Sequence, residues 1–148
     1  MKVAISSSEH ADIKKVLKMC GLEVYAMAGV GYKLLSVINR VVDFYISTKD
    51  SSFKWDTCGP HAILNSLGGG IVPYQQALAI TDKFLEDEQV ISALKEVELK
   101  YNKPDREVSE PGKKWSNTEG LIAFRTYSSV ISLLRKLVEI QRNACKGV

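Results

Sequence analysis

The sequence predicts an α/β fold, a layered, mostly parallel or mixed sheet with helices on both faces. Short apolar runs of strand length alternate along the chain with longer stretches of helical period. Three of these runs end in polar or glycine-rich turns that open a helix, at residues 6–9, 29–33 and 51–57. A length of 148 residues with 45% apolar side chains suits one domain, residues 1–148, with a core of its own.

Each element has its own signal. Residues 3–6 are a short apolar run ending in Ser6-Ser7-Ser8-Glu9, which predicts a buried strand and then a capped helix over about 9–19. Ile13, Val16, Leu17 and Cys20 fall at helical spacing, and Gly21 is the stop. A second strand is expected over 23–26, and Gly29-Val30-Gly31 opens a helix to about residue 40, apolar at Leu34, Leu35, Val37 and Ile38. Residues 41–48 are rich in β-branched and aromatic side chains and read as the clearest strand. The polar loop Lys49-Asp50-Ser51-Ser52 leads to Asp56 or Thr57 as N-cap of the next helix. That helix is expected to hold Pro60 in its first turn, to bury Ala62, Ile63, Leu64 and Leu67, and to stop at Gly68. A strand over 69–74, a helical stretch over 75–98, a loop over 102–118 and a strand over 121–126 follow. The last element is an amphipathic helix over 128–143, with Val130, Leu133, Leu134, Leu137 and Ile140 on its packed side.

Composition excludes several function classes. A net charge of +3, without interleaved aromatic and basic residues, argues against a nucleic-acid partner. Cys20, Cys58 and Cys145 are odd in number and have no paired spacing, which favours reduced thiols over a disulfide framework or a zinc site. Cys58 is expected to be a packed thiol, His61 structural, and Glu86-Asp87-Glu88 a solvated face. The first residues are too short an apolar run for a signal peptide, and no run approaches the roughly 20 residues of a membrane span. A soluble, cytoplasmic protein with no membrane partner is expected.

In such sheets the ligand crevice lies beyond the carboxyl ends of the strands, so the three turns are placed to converge on one pocket. Asp56, fixed near a helix N-terminus, is suited to hold a metal or orient a phosphate. In Gly29-Val30-Gly31-Tyr32-Lys33 the backbone N–H groups of a helix start attract anions, and Lys33 adds a point charge.

A family likeness sharpens these roles. Trp55-Asp56-Thr57-Cys58, His61-Ala62-Ile63-Leu64 and Gly68-Gly69-Gly70-Ile71-Val72 resemble a signature of the inositol monophosphatase superfamily, the lithium-sensitive, magnesium-dependent phosphomonoesterases. With the turn at 29–33, Phe53-Lys54 and Gly120-Leu121-Ile122-Ala123-Phe124-Arg125, the chain resembles the members acting on inositol polyphosphates. The likeness runs from about residue 3 to 137 and corresponds to the C-terminal part of such an enzyme. It implies the C-terminal half of an αβαβα sandwich, Asp56 as a magnesium ligand, and contacts from Ser8, His10, Gly29, Val30, Lys33 and Ser51 to the inositol ring and the phosphate that is not cleaved. The family pattern leads one to expect lysine where His10 stands and aspartate where Pro73 stands. Trp115 and Asn117 match family positions without an assigned chemistry. The implied reaction is magnesium-dependent removal of the 1-phosphate from inositol 1,4-bisphosphate and inositol 1,3,4-trisphosphate.

The family's remaining metal ligands come from an upstream glutamate and an Asp-Pro-Ile-Asp-Ser/Thr motif, and this sequence has no Asp-Pro-x-Asp and no Glu-Glu pair. The resemblance therefore implies a lobe that is inactive alone, with apolar surface left for the N-terminal half or for a homodimer. Two other readings stay open. One is a non-catalytic polyphosphate-binding or interaction module. The other is part of a 3′(2′),5′-bisphosphate nucleotidase, whose helix also begins Trp-Asp-Thr-Cys-x-Pro.

Overall fold

The computed structural model describes residues 1–102 and 113–147. Residues 103–112 of the expected long loop, and the side chain of Cys145, lie outside the described residues.

The chain runs β1 (Lys2–Ile5), α1 (Ala11–Met19), β2 (Glu23–Ala26), α2 (Val30–Ile38), β3 (Phe44–Ser47), α3 (Lys54–Ser66), β4 (Gly70–Val72), α4 (Tyr74–Lys83), α5 (Asp87–Glu96), a 3₁₀ turn (Lys113–Trp115), β5 (Leu121–Phe124) and α6 (Tyr127–Lys146). The sheet order is β2-β1-β3-β5-β4. β1 pairs parallel with β2 and with β3, and β5 runs antiparallel between β3 and β4. The expected mixed α/β sheet is thus present, with helices on both faces.

Period-two alternation sorts the strands into two cores. Val3, Ile5, Phe44, Ile46, Val72, Ile122 and Phe124 face α1, α4, α5 and α6, where Leu17, Leu78, Val90, Leu94, Leu134 and Leu137 complete the larger core. Ala4, Tyr45, Ile71, Leu121 and Ala123 face α2 and α3, meeting Leu34, Val37 and Leu64. Small alanines on this second face leave room for the buried Tyr45 ring. Gly69 is required where α3 returns to the sheet, because a Cβ there would lie 2.1 Å from the Phe124 carbonyl oxygen.

Several boundaries differ from expectation for local reasons. α2 ends at Ile38, and Arg40 takes a left-handed φ of 60°, so the chain turns back before β3 and only Phe44–Ser47 pairs. Residues 75–98 are two helices rather than one. Phe84 is extended, and the Arg135 guanidinium donates to the carbonyls of Thr81, Phe84 and Leu85 at the break. α3 starts earlier than expected, with Phe53 rather than Asp56 or Thr57 as N-cap. Pro60 accordingly lies in the helix interior, where its missing N–H leaves the Asp56 carbonyl without its helical donor. The buried side of α3 is also corrected. Thr57, His61 and Leu64 face the sheet, whereas Ala62, Ile63 and Leu67 are exposed. Cys58, one residue round from Thr57, is exposed rather than packed.

Candidate functional site

β1, β2 and β3 are parallel, so their carboxyl ends share one edge of the sheet. Three turns leave from that edge: β1–α1, carrying Ser8 and His10; β2–α2, carrying Gly29 and Val30; and β3–α3, carrying Ser51 and leading to Asp56. The contacts join them. The Lys33 ammonium reaches from α2 to Ser6 Oγ at 3.2 Å and the Met27 carbonyl at 3.3 Å, and it lies 5.0 Å from the centre of the Tyr45 ring. Lys49 donates to the Ser8 carbonyl and Thr48 donates to Glu9, which ties the first turn to the third.

Ser8, His10, Gly29 and Ser51 are exposed, Val30 and Asp56 are partly covered, and Lys33 is only 2% exposed. Gly29 has φ of 76°, a conformation that glycine adopts without strain, and its position as N-cap leaves the first N–H groups of α2 open to solvent or ligand. Burial pushes the Lys33 ammonium below its ordinary pKa, and the charge of Glu9 acts in the opposite direction.

Asp56 is the third residue of α3, and its Oδ2 accepts the Phe53 N–H at 2.9 Å. This hydrogen bond fixes the carboxylate over the start of the helix and leaves its other oxygen available. The loop beneath is held by Asn117, whose amide donates to Ser52 Oγ at 3.1 Å and Thr57 Oγ1 at 3.3 Å. Phe53 and Trp55 stack at 4.6 Å, and Trp55, Lys54, Cys58, Tyr101 and Trp115 line an adjoining hollow of about 410 Å³. Tyr45 stands between the candidate residues; burial first, then the charges of Glu9 and Asp56, push its phenol up to about 12.

Magnesium takes several hard oxygen ligands in near-octahedral geometry. Asp56 suits one of them, but among the described residues no three His, Cys, Asp or Glu side chains converge on a metal position. Among the described residues the site is a glycine turn beside a single carboxylate.

The model of the inositol monophosphatase family matches residues 2–122. The chain belongs to the inositol monophosphatase family. It is similar to inositol polyphosphate 1-phosphatase of Homo sapiens, 37% identical over 91% of this chain and 32% of that protein. It is also similar to inositol polyphosphate 1-phosphatase of Bos taurus, 36% identical over 93% of this chain and 32% of that one. A shorter match, 47% identical over 32% of this chain and 15% of the relative, is to 3′(2′),5′-bisphosphate nucleotidase 1 of Dictyostelium discoideum. The chain thus spans about a third of the length of the inositol polyphosphate relatives. No helix among the described residues is long and apolar enough to cross a membrane.

Sequence reasoning singled out Asp56 and the Gly29 turn but gave no site role to Glu9 or Tyr45, and it named Asn117 without a chemistry. Asn117 meets Ser52 and Thr57 across separations of 65 and 60 residues, which no local pattern reveals. Glu9 offered one weak signal, a lone acid between two candidate contacts.

Proposed function

We propose that this chain is the substrate-holding lobe of a magnesium-dependent phosphomonoesterase that removes the 1-phosphate from inositol 1,4-bisphosphate and inositol 1,3,4-trisphosphate. The observation that supports this is that the glycine turn with its buried Lys33 and the loop leading to the fixed Asp56 both leave from the carboxyl ends of parallel strands. The similarity to inositol polyphosphate 1-phosphatases over 91% of the chain supports the substrate class. Gly29, Val30 and Lys33 hold a phosphate of the substrate, Ser8, His10 and Ser51 contact the ring and its neighbouring phosphate, and Asp56 supplies one magnesium ligand.

The remaining ligands come from polypeptide corresponding to the two thirds of the relatives that this chain does not span. That polypeptide also has a surface to cover. The outward side chains of α2 and α3 include Tyr32, Leu35, Ile63 and Leu67, each more than 40% exposed. Beyond the first turn of α3 neither helix exposes a charged residue, and the only charge on α2, Lys33, is buried. The other helical layer carries Lys14, Lys15, Glu139 and Arg142. A helical layer that leaves large apolar side chains on its outer side is suited to be an internal layer. Asp56 and Gly29 sit at its rim, so a lobe laid on this face would bring further carboxylates to Asp56.

The test joins this chain to the upstream two thirds of the human relative and measures magnesium-dependent phosphate release. Inositol 1,4-bisphosphate is expected to be cleaved in preference to adenosine 3′,5′-bisphosphate, and the isolated chain is expected to release none. Preference for the nucleotide would assign the chain to the bisphosphate nucleotidases. A folded but inactive joined protein would favour a non-catalytic binding module.

A further inference from the structure

We propose that Glu9 is a positioning residue of the phosphate seat: its buried carboxylate holds the Lys33 ammonium in its charged form and ties the Ser8–His10 turn to the start of the β3–α3 loop. This rests on the reading of the Gly29 turn as that seat.

Lys33 and Glu9 are each at least 95% buried. A buried ammonium is costly unless opposite charge or hydrogen bonds compensate it. The hydrogen-bond acceptors given to Lys33 are neutral, the Ser6 hydroxyl and the Met27 carbonyl, both longer than 3.1 Å. Among the described residues the titratable groups that face it are Glu9 from the β1–α1 turn and Tyr45 from β3. Tyr45 is neutral, and the charge of Asp56 on α3 falls on Tyr45. Lys49, from the β3–α3 loop, lies against the Ser8 carbonyl of the same turn and adds a second cation. Glu9 is therefore the compensating charge, and its influence on Lys33 opposes the effect of burial.

The carboxylate is built for this position. Its Oε1 accepts the Thr48 hydroxyl, while Oε2 is buried and has no hydrogen-bond partner among the described residues. A buried carboxylate oxygen left unpaired in a plain structural tie is a cost without return. Beside a buried cation it supplies field. Because Glu9 points inward, its neighbours Ser8 and His10 are turned outward. The Glu9 N–H closes the turn on the Ser6 carbonyl at 3.1 Å, and Ser6 is also the residue whose hydroxyl meets Lys33. One side chain thus couples the cation of the second turn to the shape of the first and the start of the third.

The experiment is an NMR titration of the Lys33 Cε signal in the full chain, assigned with Lys33→Met. Glu9→Gln keeps an acceptor for Thr48 but removes the charge, and it is expected to lower the Lys33 midpoint by about one to three pH units. Thr48→Val removes the hydrogen bond and keeps the charge, and should leave the midpoint near wild type. Glu9→Asp should recover most of it. Amide spectra establish that each variant is folded. An unchanged Lys33 midpoint in folded Glu9→Gln, or an equal fall in Thr48→Val, would overturn the charge role. Adding inorganic phosphate should raise the wild-type midpoint and do so less in Glu9→Gln. A wild-type midpoint indifferent to phosphate, with the Glu9→Gln fall intact, would sink the phosphate seat and leave the Glu9–Lys33 pairing standing.

Discussion

His61 lies on the sheet-facing side of α3, 3% exposed, with Nδ1 2.9 Å from Tyr101 Oη and Nε2 3.3 Å from Glu98 Oε2. The second contact is close enough for an ion pair but poorly aligned for a hydrogen bond, since Nε2 finds no hydrogen-bond partner among the described residues. Glu98 also accepts the Tyr127 hydroxyl, so α3, α6 and the segment after α5 meet on one partly buried polar chain. Burial holds the His61 pKa below its ordinary 6.5, against the pull of Glu98, so the imidazole is neutral in the fold. The unfolded chain then binds the proton more readily than the folded one. Stability is fully present above about pH 6.5 and is lost as pH falls from there through the folded value. Thermal unfolding between pH 8 and 5 should show this fall, and His61→Gln should have a shallower slope over the same range. An identical slope in both proteins would mean that His61 is not the group responsible. The sequence marked His61 as structural, but not this network, whose partners lie 37 and 40 residues away.

At the scale of elements, α3 shows how far pattern reading reaches. Strand positions were legible because short runs rich in apolar, β-branched and aromatic residues, bounded by polar or glycine-rich turns, mark β1, β3 and β5. The inner face of α3 was legible only at Leu64, because Ala62, Ile63 and Leu67 lie outward and two polar residues, Thr57 and His61, lie inward. A helix read alone is expected to bury its apolar side. Here the rule fails because the helix leaves large apolar side chains on its outer side, which fits the proposed second covering. The isolated chain should therefore self-associate through α2 and α3. Light scattering is expected to give a mass above that of the monomer, and Leu35→Glu with Ile63→Glu should restore the monomer without loss of helical signal. A sharply monomeric wild-type chain at high concentration would count against the covered face.

For the molecule as a whole, fold class and family were legible because long-range order follows from short signals, glycine stops and strand-length runs repeated in one plan. The candidate site was legible only at its turns. Its inner supports, Glu9, Tyr45 and Asn117, depend on contacts between distant segments that no spacing encodes. The central claim is that Asp56 is one ligand of a magnesium site finished by other polypeptide. It is tested most directly by phosphate release from inositol 1,4-bisphosphate by this chain joined to the upstream two thirds of the human relative, with Asp56 intact or changed to Asn. Loss of a metal ligand removes several kcal/mol of transition-state stabilisation, so Asp56→Asn is predicted to lower turnover by at least about 100-fold. Turnover that persists undiminished in folded Asp56→Asn would contradict the account.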